Sequence, residues 1–394
     1  MDNTKQLNIE YFSLQSLFWM TYCMVVGFSV TYLLSCGYSN SEAGYILASA
    51  NICALVLQPF FADLADRSKR INAMTIFLVS IVIIFVCSIG LFFISARSVI
   101  LTLIYVVMIT LANAVIAFLT SVQYLMDRSK SKINFGLCRA GGSLCFAILS
   151  AVMGILIERI GMKSIPTALF IITFLIIILC MYITRHRIHT TTDSMNSLIH
   201  QKSCSLLVFF KENPKFMVLS IGMLFIYYAH AFITNFTISI VRNVGGDHRE
   251  MGYLIAFMAL MELPGMIGFN EISRRFKVSS LLLFSMMMFS VKAIIVWLSP
   301  SLMTLAFGFA LQVVSFALYI PASVQYANIM IDEKDTVKAQ MMFNLMQAGG
   351  AVFSSIIGGW LIDFSGISHA LLVGAILSCI GTIIAFTGIQ NTKR

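Results

Sequence analysis

The sequence predicts an all-α membrane protein with twelve transmembrane helices in two pseudo-symmetric six-helix halves. Three observations lead there. The chain of 394 residues is 59% hydrophobic and only 11% charged, with a mean hydropathy of +0.90, whereas about one quarter of an ordinary globular domain is charged. Its apolar residues gather into runs that match the roughly 20 residues of helix needed to cross a hydrocarbon core. A polar, basic stretch at 185–215 then divides those runs six and six.

In chain order the runs cover 13–36, 43–65, 72–94, 98–125, 134–157, 164–184, 216–241, 250–273, 278–299, 301–330, 338–362 and 367–389. They are continuous and helix-length, which excludes a membrane barrel with its short alternating strands. The first is too long for a signal-peptide core and has no convincing cleavage site, so it is expected to stay as a helix. The tenth is long enough to tilt or kink. The expected organisation is an N-terminal half over 1–184, a cytoplasmic linker over 185–215 and a C-terminal half over 216–394.

Basic residues set the orientation, because cytoplasmic loops carry the excess of Lys and Arg. Of the 26, five fall in loops opposite the termini (Arg97, Arg159, Lys163, Arg242 and Arg249) and two within spans (Arg139 and Lys292), leaving 19 on the side of the termini. Both termini are therefore expected in the cytoplasm, with the chain as a multi-pass protein of the cell membrane. Topology accounts for the net charge of +9, and no nucleic-acid partner is needed to explain it.

Other classes find no support. The nine cysteines lie mostly within spans, with no CxxC pair and no Cys/His cluster at metal spacing, so neither a disulfide framework nor a metal site is expected. The glycine pairs lack the strand, loop and helix of a phosphate cradle; in spanning helices small residues permit close packing. No cofactor is implied. Paired catalytic carboxylates, or a nucleophile with a placed base, are not apparent, so an enzyme is not expected.

The two halves share one offset. Gly44-Tyr45 matches Gly252-Tyr253, Arg67 matches Arg275, and Ala140-Gly141-Gly142 matches Ala348-Gly349-Gly350, each 208 residues apart. Three matches at one offset in corresponding spans imply an internal duplication. Paired six-helix repeats are the usual build of secondary transporters, whose site lies at the repeat interface near the bilayer midplane.

LQPFFADLADRSKR at 57–70 resembles the major facilitator motif of the loop after the second helix, G-x-x-x-D-R-x-G-R-R, with Asp66, Arg67 and Arg70 at its acid and base positions. The resemblance implies a conformational latch there. FGLCRAGGSLCF at 135–146 is similar to the oligosaccharide/proton symporters, the lactose permease-like branch, in which an arginine grips sugar hydroxyls and an aromatic stacks on the ring. Arg139 and Phe146 hold those positions. The family's acidic partner one helix earlier corresponds to Gln123, which bonds hydroxyls but cannot neutralise Arg139. In the second half the family's ninth-helix arginine corresponds to Lys292. Its tenth-helix His and Glu would fall near Phe316 and Tyr319, so that proton relay is absent.

Depth tests these residues separately. At about 1.5 Å of rise per residue, Glu262 lies roughly 17 Å, Lys292 roughly 22 Å and His230 roughly 21 Å from the cytoplasmic end of their spans, near mid-bilayer, while Arg139 is only about 8 Å in. Glu262 is the sole carboxylate well inside a span, and a charge there costs about 2.5 to 3.5 kcal/mol on insertion scales, so it should face protein or water. Pro264 removes a bond to the Leu260 carbonyl. Adjacent antiparallel helices can join Glu262 to Lys292. Glu262 and His230 are thus the candidates for proton coupling, and Arg139, Phe146, Gln123, Lys292 and Gln347 for solute binding. Gln347 is chosen from the polar set Asn51, Gln58, Asn113, Gln123, Asn235, Gln312, Gln325, Asn344 and Gln347 because it stands at the repeat position of Arg139.

The expectation is a proton-coupled transporter that moves a small polar solute, a sugar or oligosaccharide, by alternating access, as a monomer in the lipid bilayer. Import by symport is the first reading. A sugar or drug exporter and a non-transporting membrane sensor on the same scaffold are the alternatives.

Overall fold

Helices account for every regular element that the computed structural model contains, and among the described residues there is no strand. It describes residues 3–68, 71–94, 96–126, 133–187, 209, 211–332 and 335–392. Among the described residues eleven helices are long and apolar enough to cross a membrane, or twelve when one bent pair is taken as a single span. The chain separates into two compact units, residues 1–195 and 196–394.

In the N-terminal unit, α1 (Asn3–Tyr22) runs into a π-helical turn (Cys23–Gly27) and then α2 (Ser29–Ser35), with a bend of 42° between them. It begins well before the apolar run of the sequence. Its polar first turns are held by neighbours: Asn8 Oδ1 accepts from the Asn134 amide at 2.8 Å and Gln6 donates to the Tyr182 hydroxyl at 3.3 Å. Packing thus extends a helix that hydropathy alone would end. There follow α3 (Asn40–Arg67), α4 (Ala73–Gly90), α5 (Val99–Ala114) and α6 (Ile116–Met126), then α7 (Phe135–Ile160) and α8 (Ser164–Arg187). A break at Val115 divides the fourth span between α5 and α6.

In the C-terminal unit, α9 (Pro214–Asn235) and α10 (Thr237–Asn243) form one interrupted span, followed by α11 (His248–Arg275) and α12 (Val278–Leu298). The long tenth run is broken, as its length allowed: α13 (Leu302–Ala310) passes through a 3-10 turn (Leu311–Val313) to α14 (Phe316–Met330). The unit ends with α15 (Thr336–Phe353), a π-helical turn (Ser354–Gly358), α16 (Gly359–Ser365) and α17 (Ile367–Gly388).

The 208-residue offset recurs in local geometry. Helices α3 and α11 start and stop at equivalent residues, Asn40 with His248 and Arg67 with Arg275. Each is preceded by a left-handed glycine, Gly37 at φ 91° and Gly245 at φ 83°, a conformation open to glycine at little steric cost. Each also has the same reciprocal cap: the Ser39 amide donates to Glu42 Oε2 at 3.0 Å and the Asp247 amide to Glu250 Oε2 at 2.9 Å. The repeated AGG packs each fifth helix on its first. A Cβ on Gly142 would stand 2.6 Å from Trp19 Cδ1, and one on Gly350 would stand 2.6 Å from the Leu224 carbonyl and 3.1 Å from Tyr227 Cβ. Trp19 and Tyr227 are themselves 208 residues apart.

Candidate functional site

The N-terminal candidates gather on the contact between α1 and α7. Gly142 lets Trp19 lie close, and one helical turn earlier the Arg139 guanidinium sits 3.9 Å from the centre of the Trp19 ring. It also donates to Ser143 Oγ at 2.8 Å. The charge of Arg139 therefore rests on an aromatic face, an attraction that strengthens on desolvation. Trp19 is held in turn: its Nε1 donates to Gln15 Oε1 at 3.1 Å, Gln15 Nε2 to the Tyr11 hydroxyl at 2.7 Å, and that hydroxyl to the Leu119 carbonyl at 3.3 Å. Phe146 lies farther along α7 with its ring edge over the π-helical turn, where a Cβ on Gly27 would be 3.8 Å away. Gln123 is half-buried on α6 and makes no hydrogen bond to Arg139 among the described residues.

Near the break in the fourth span a second polar group forms. The Tyr22 hydroxyl donates to Asn113 Oδ1 at 3.0 Å, Asn113 Nδ2 to Asn51 Oδ1 at 2.8 Å, and Gln58 Nε2 to the Asn113 carbonyl at 3.2 Å. These bonds are interhelical ties of the kind expected between apolar helices. A cavity of about 450 Å³ opens elsewhere in the same unit, between Tyr38, Glu42, Tyr45, Arg97 and Thr102, and the Arg97–Glu42 ion pair lines it. It includes none of the candidates named from the sequence. Asp66 and Arg67 end α3, but their side chains lie outside the described residues, as does the whole of Arg70.

The C-terminal candidates form a tighter arrangement. Lys292 on α12 is 1% exposed. Its ammonium donates to Gln312 Oε1 at 2.6 Å and approaches the Met258 sulfur at 3.7 Å and the Phe309 ring at 5.7 Å from its centre. Gln312 Nε2 donates to Glu262 Oε1 at 2.9 Å. Among the described residues the link from Lys292 to Glu262 therefore runs through an amide. The break in the tenth span makes this possible, because the 3-10 turn carries Gln312, itself 1% exposed, between α11 and α12. Glu262 is half-buried.

His230 on α9 is packed in rings, stacked on Phe316 at 5.0 Å between centres and edge-on to Phe289 at 5.3 Å, with Tyr227 at 5.2 Å. Its Nδ1 is buried with no hydrogen-bond partner among the described residues. Gln347 donates to the Tyr319 hydroxyl at 3.4 Å. The structure thus brings Glu262 and Lys292 together, sets His230 among aromatics and ties Gln347 to α14. Sequence reasoning named Gln312 only as one amide among many and overlooked Trp19. The first had a signal, being the one strongly polar side chain in the apolar FGFALQVVSF, and the second had its 208-residue match to Tyr227.

Ionisable side chains hydrogen-bonded at mid-helix within a bundle of long apolar spans define a class, the multi-pass membrane transporters. The chain belongs to the MFS_1-like family of the major facilitator superfamily, whose match covers residues 7–373. It is similar to the maltose permease of Geobacillus stearothermophilus, with 21% identity over 347 residues, 88% of this chain and 85% of the permease. Its fold matches the nucleoside transporter NupG with a TM-score of 0.78 at 14% identity, covering 98% of each chain. A POT family peptide transporter matches with a TM-score of 0.75 at 12% identity, over 97% of this chain and 96% of the other. This is a transporter of the major facilitator type, not an enzyme. Proteins named for nucleosides and peptides share its fold and one named for maltose resembles its sequence, so the solute has to be argued from side chains.

Proposed function

We propose that the chain is a proton-coupled sugar or oligosaccharide transporter of the cell membrane that works by alternating access, as a monomer with both termini in the cytoplasm. The observation that carries proton coupling is the hydrogen-bonded series Lys292, Gln312, Glu262, its first two members buried and its carboxylate half-buried. A carboxylate within reach of a fixed cation, inside a membrane helix, is a group whose charge is exchangeable for a proton when its surroundings change. Glu262 is the proton carrier in this reading and Lys292 its standing countercharge, with His230 a second titratable group near the same place. The likeness to a maltose permease supports a saccharide, and so does Arg139 over Trp19: a forked donor beside an aromatic face suits a hydroxylated ring. The excess of basic residues beside the termini supports the orientation.

The test is a solute-library uptake screen in proteoliposomes, maltose included, with and without an imposed pH gradient and repeated with Glu262→Gln. The expected result is accumulation of a saccharide under the gradient, lost in Glu262→Gln while counterflow persists. Accumulation that survives the substitution removes Glu262 as carrier; a wild-type protein that moves peptides or nucleosides and no saccharide removes the solute class.

A further inference from the structure

We propose that Gln312 is the positioning residue for proton transfer at Glu262: its amide keeps the Lys292 ammonium joined to that carboxylate yet one amide group away from it. This rests on the reading of Glu262 as proton carrier and adds to it the part that lets the carboxylate change charge.

Three observations carry it. First, Gln312 uses both ends of its amide, the oxygen on Lys292 at 2.6 Å and the nitrogen on Glu262 at 2.9 Å. An ammonium only donates and an ionised carboxylate only accepts, so one orientation of the amide serves both. The reverse would turn N–H groups against the ammonium. Lys292 therefore fixes the amide, and the amide holds Glu262 Oε1 as an acceptor. Second, the spacer is held by backbone. Gly265, three residues past Glu262, lies so close to the 3-10 turn that a Cβ on it would be 2.3 Å from the Val313 carbonyl. Third, the alternative is unproductive. Attraction between opposite charges grows as they close and as water is excluded, so an ammonium seated directly on Glu262 would hold the carboxylate ionised through the transport cycle.

Among the described residues, the elements packed around Glu262 bring the following charged groups. Helix α12 supplies Lys292, and α9 supplies His230, within electrostatic reach of Lys292. Helices α13 and α14 carry no acid or base other than Tyr319 and Tyr326. The Arg242 of α10 is paired with Asp247, and the other charged residues of α11 lie near its two ends.

Infrared difference titration of the full-length protein in lipid nanodiscs tests this with pH as the only probe. The signal is the carbonyl stretch of a protonated carboxylic acid that Glu262→Gln removes. In Gln312→Leu, or in Gln312→Met where leucine prevents folding, the pH at which this band is half-developed is expected to move by about one unit or more, a tenfold change in proton affinity. Adding Lys292→Met to Gln312→Leu should reverse the shift, since the displaced ammonium causes it. A band that titrates as in the wild type in Gln312→Leu, with only the melting temperature lowered, marks a structural side chain and overturns the spacer alone. A wild-type protein with no band assignable to Glu262 overturns the proton carrier and the spacer together.

Discussion

The two halves, laid over each other at the 208-residue offset, agree in their frame and differ in their chemistry. The left-handed glycines, the reciprocal caps, the ends of α3 and α11 and the glycine contacts of the fifth helices all correspond. The charged side chains do not: Arg139 corresponds in sequence to Gln347, and Ala54, Ile84 and Ile104 stand where the second half has Glu262, Lys292 and Gln312. A helix end or a close backbone approach tolerates few residues, so those positions persist in both copies. A site inside a membrane asks for one set of charges, because each buried charge is costly. The duplication therefore supplied the scaffold twice and the set Lys292, Gln312 and Glu262 once.

That contrast can be broken by substitution, and the largest effect on transport belongs to the charged set. Lys292→Met leaves Gln312 and Glu262 without their cation, and gradient-driven uptake in proteoliposomes should fall at least roughly tenfold, about 1.4 kcal/mol in effective barrier. The repeat-equivalent Ile84→Met conserves volume and polarity and should cost less than about 1.5 kcal/mol in stability, with uptake unchanged.

Next come the glycines. Gly350→Ala drives a methyl against the Leu224 carbonyl and the Tyr228 amide, at 2.6 and 3.0 Å, whereas the atoms closest to a Gly142→Ala methyl belong to a side chain, Trp19, rather than to backbone. Thermal unfolding should register about 3 kcal/mol for the first and about 1 kcal/mol for the second. Equal losses would mean that the two contacts are equally rigid.

Smaller still, Gly37→Ala and Gly245→Ala have open space around the added carbon, so only the left-handed backbone opposes them. Each should destabilise by about 1 kcal/mol, and by the same amount. Least is Trp19→Leu, which removes the ring beneath Arg139 and should cost about 0.5 to 1 kcal/mol of interaction, read from a double-mutant cycle with Arg139→Gln.

Particular residues show why some features were legible and others were not. The spans could be read because about 20 apolar residues in a row have few other places to be, and the family could be read from local strings such as FGLCRAGG. Glu262 and Lys292 stood out because charge inside an apolar run is rare. Gln312 did not, since an amide is unremarkable in sequence and gains its importance from lying between two charges that come from other helices. Trp19 was hidden for the same reason, being one aromatic in a chain with 32 Phe and 13 Tyr. The early start of α1 was missed because its polar turns are stabilised by Asn134 and Tyr182, contacts that no local pattern encodes.

By itself the sequence determined that the chain lives in a membrane, that it is duplicated, and which charged side chains must be accounted for. Each of these follows from solvation, whose demands act residue by residue along the chain. Only the tertiary structure decided which partners those charges meet, with Arg139 on an indole face and Lys292 on an amide that leads to Glu262. A hydrogen bond between helices depends on where a backbone breaks and how closely two glycines allow it to approach, and that is a property of the packed bundle.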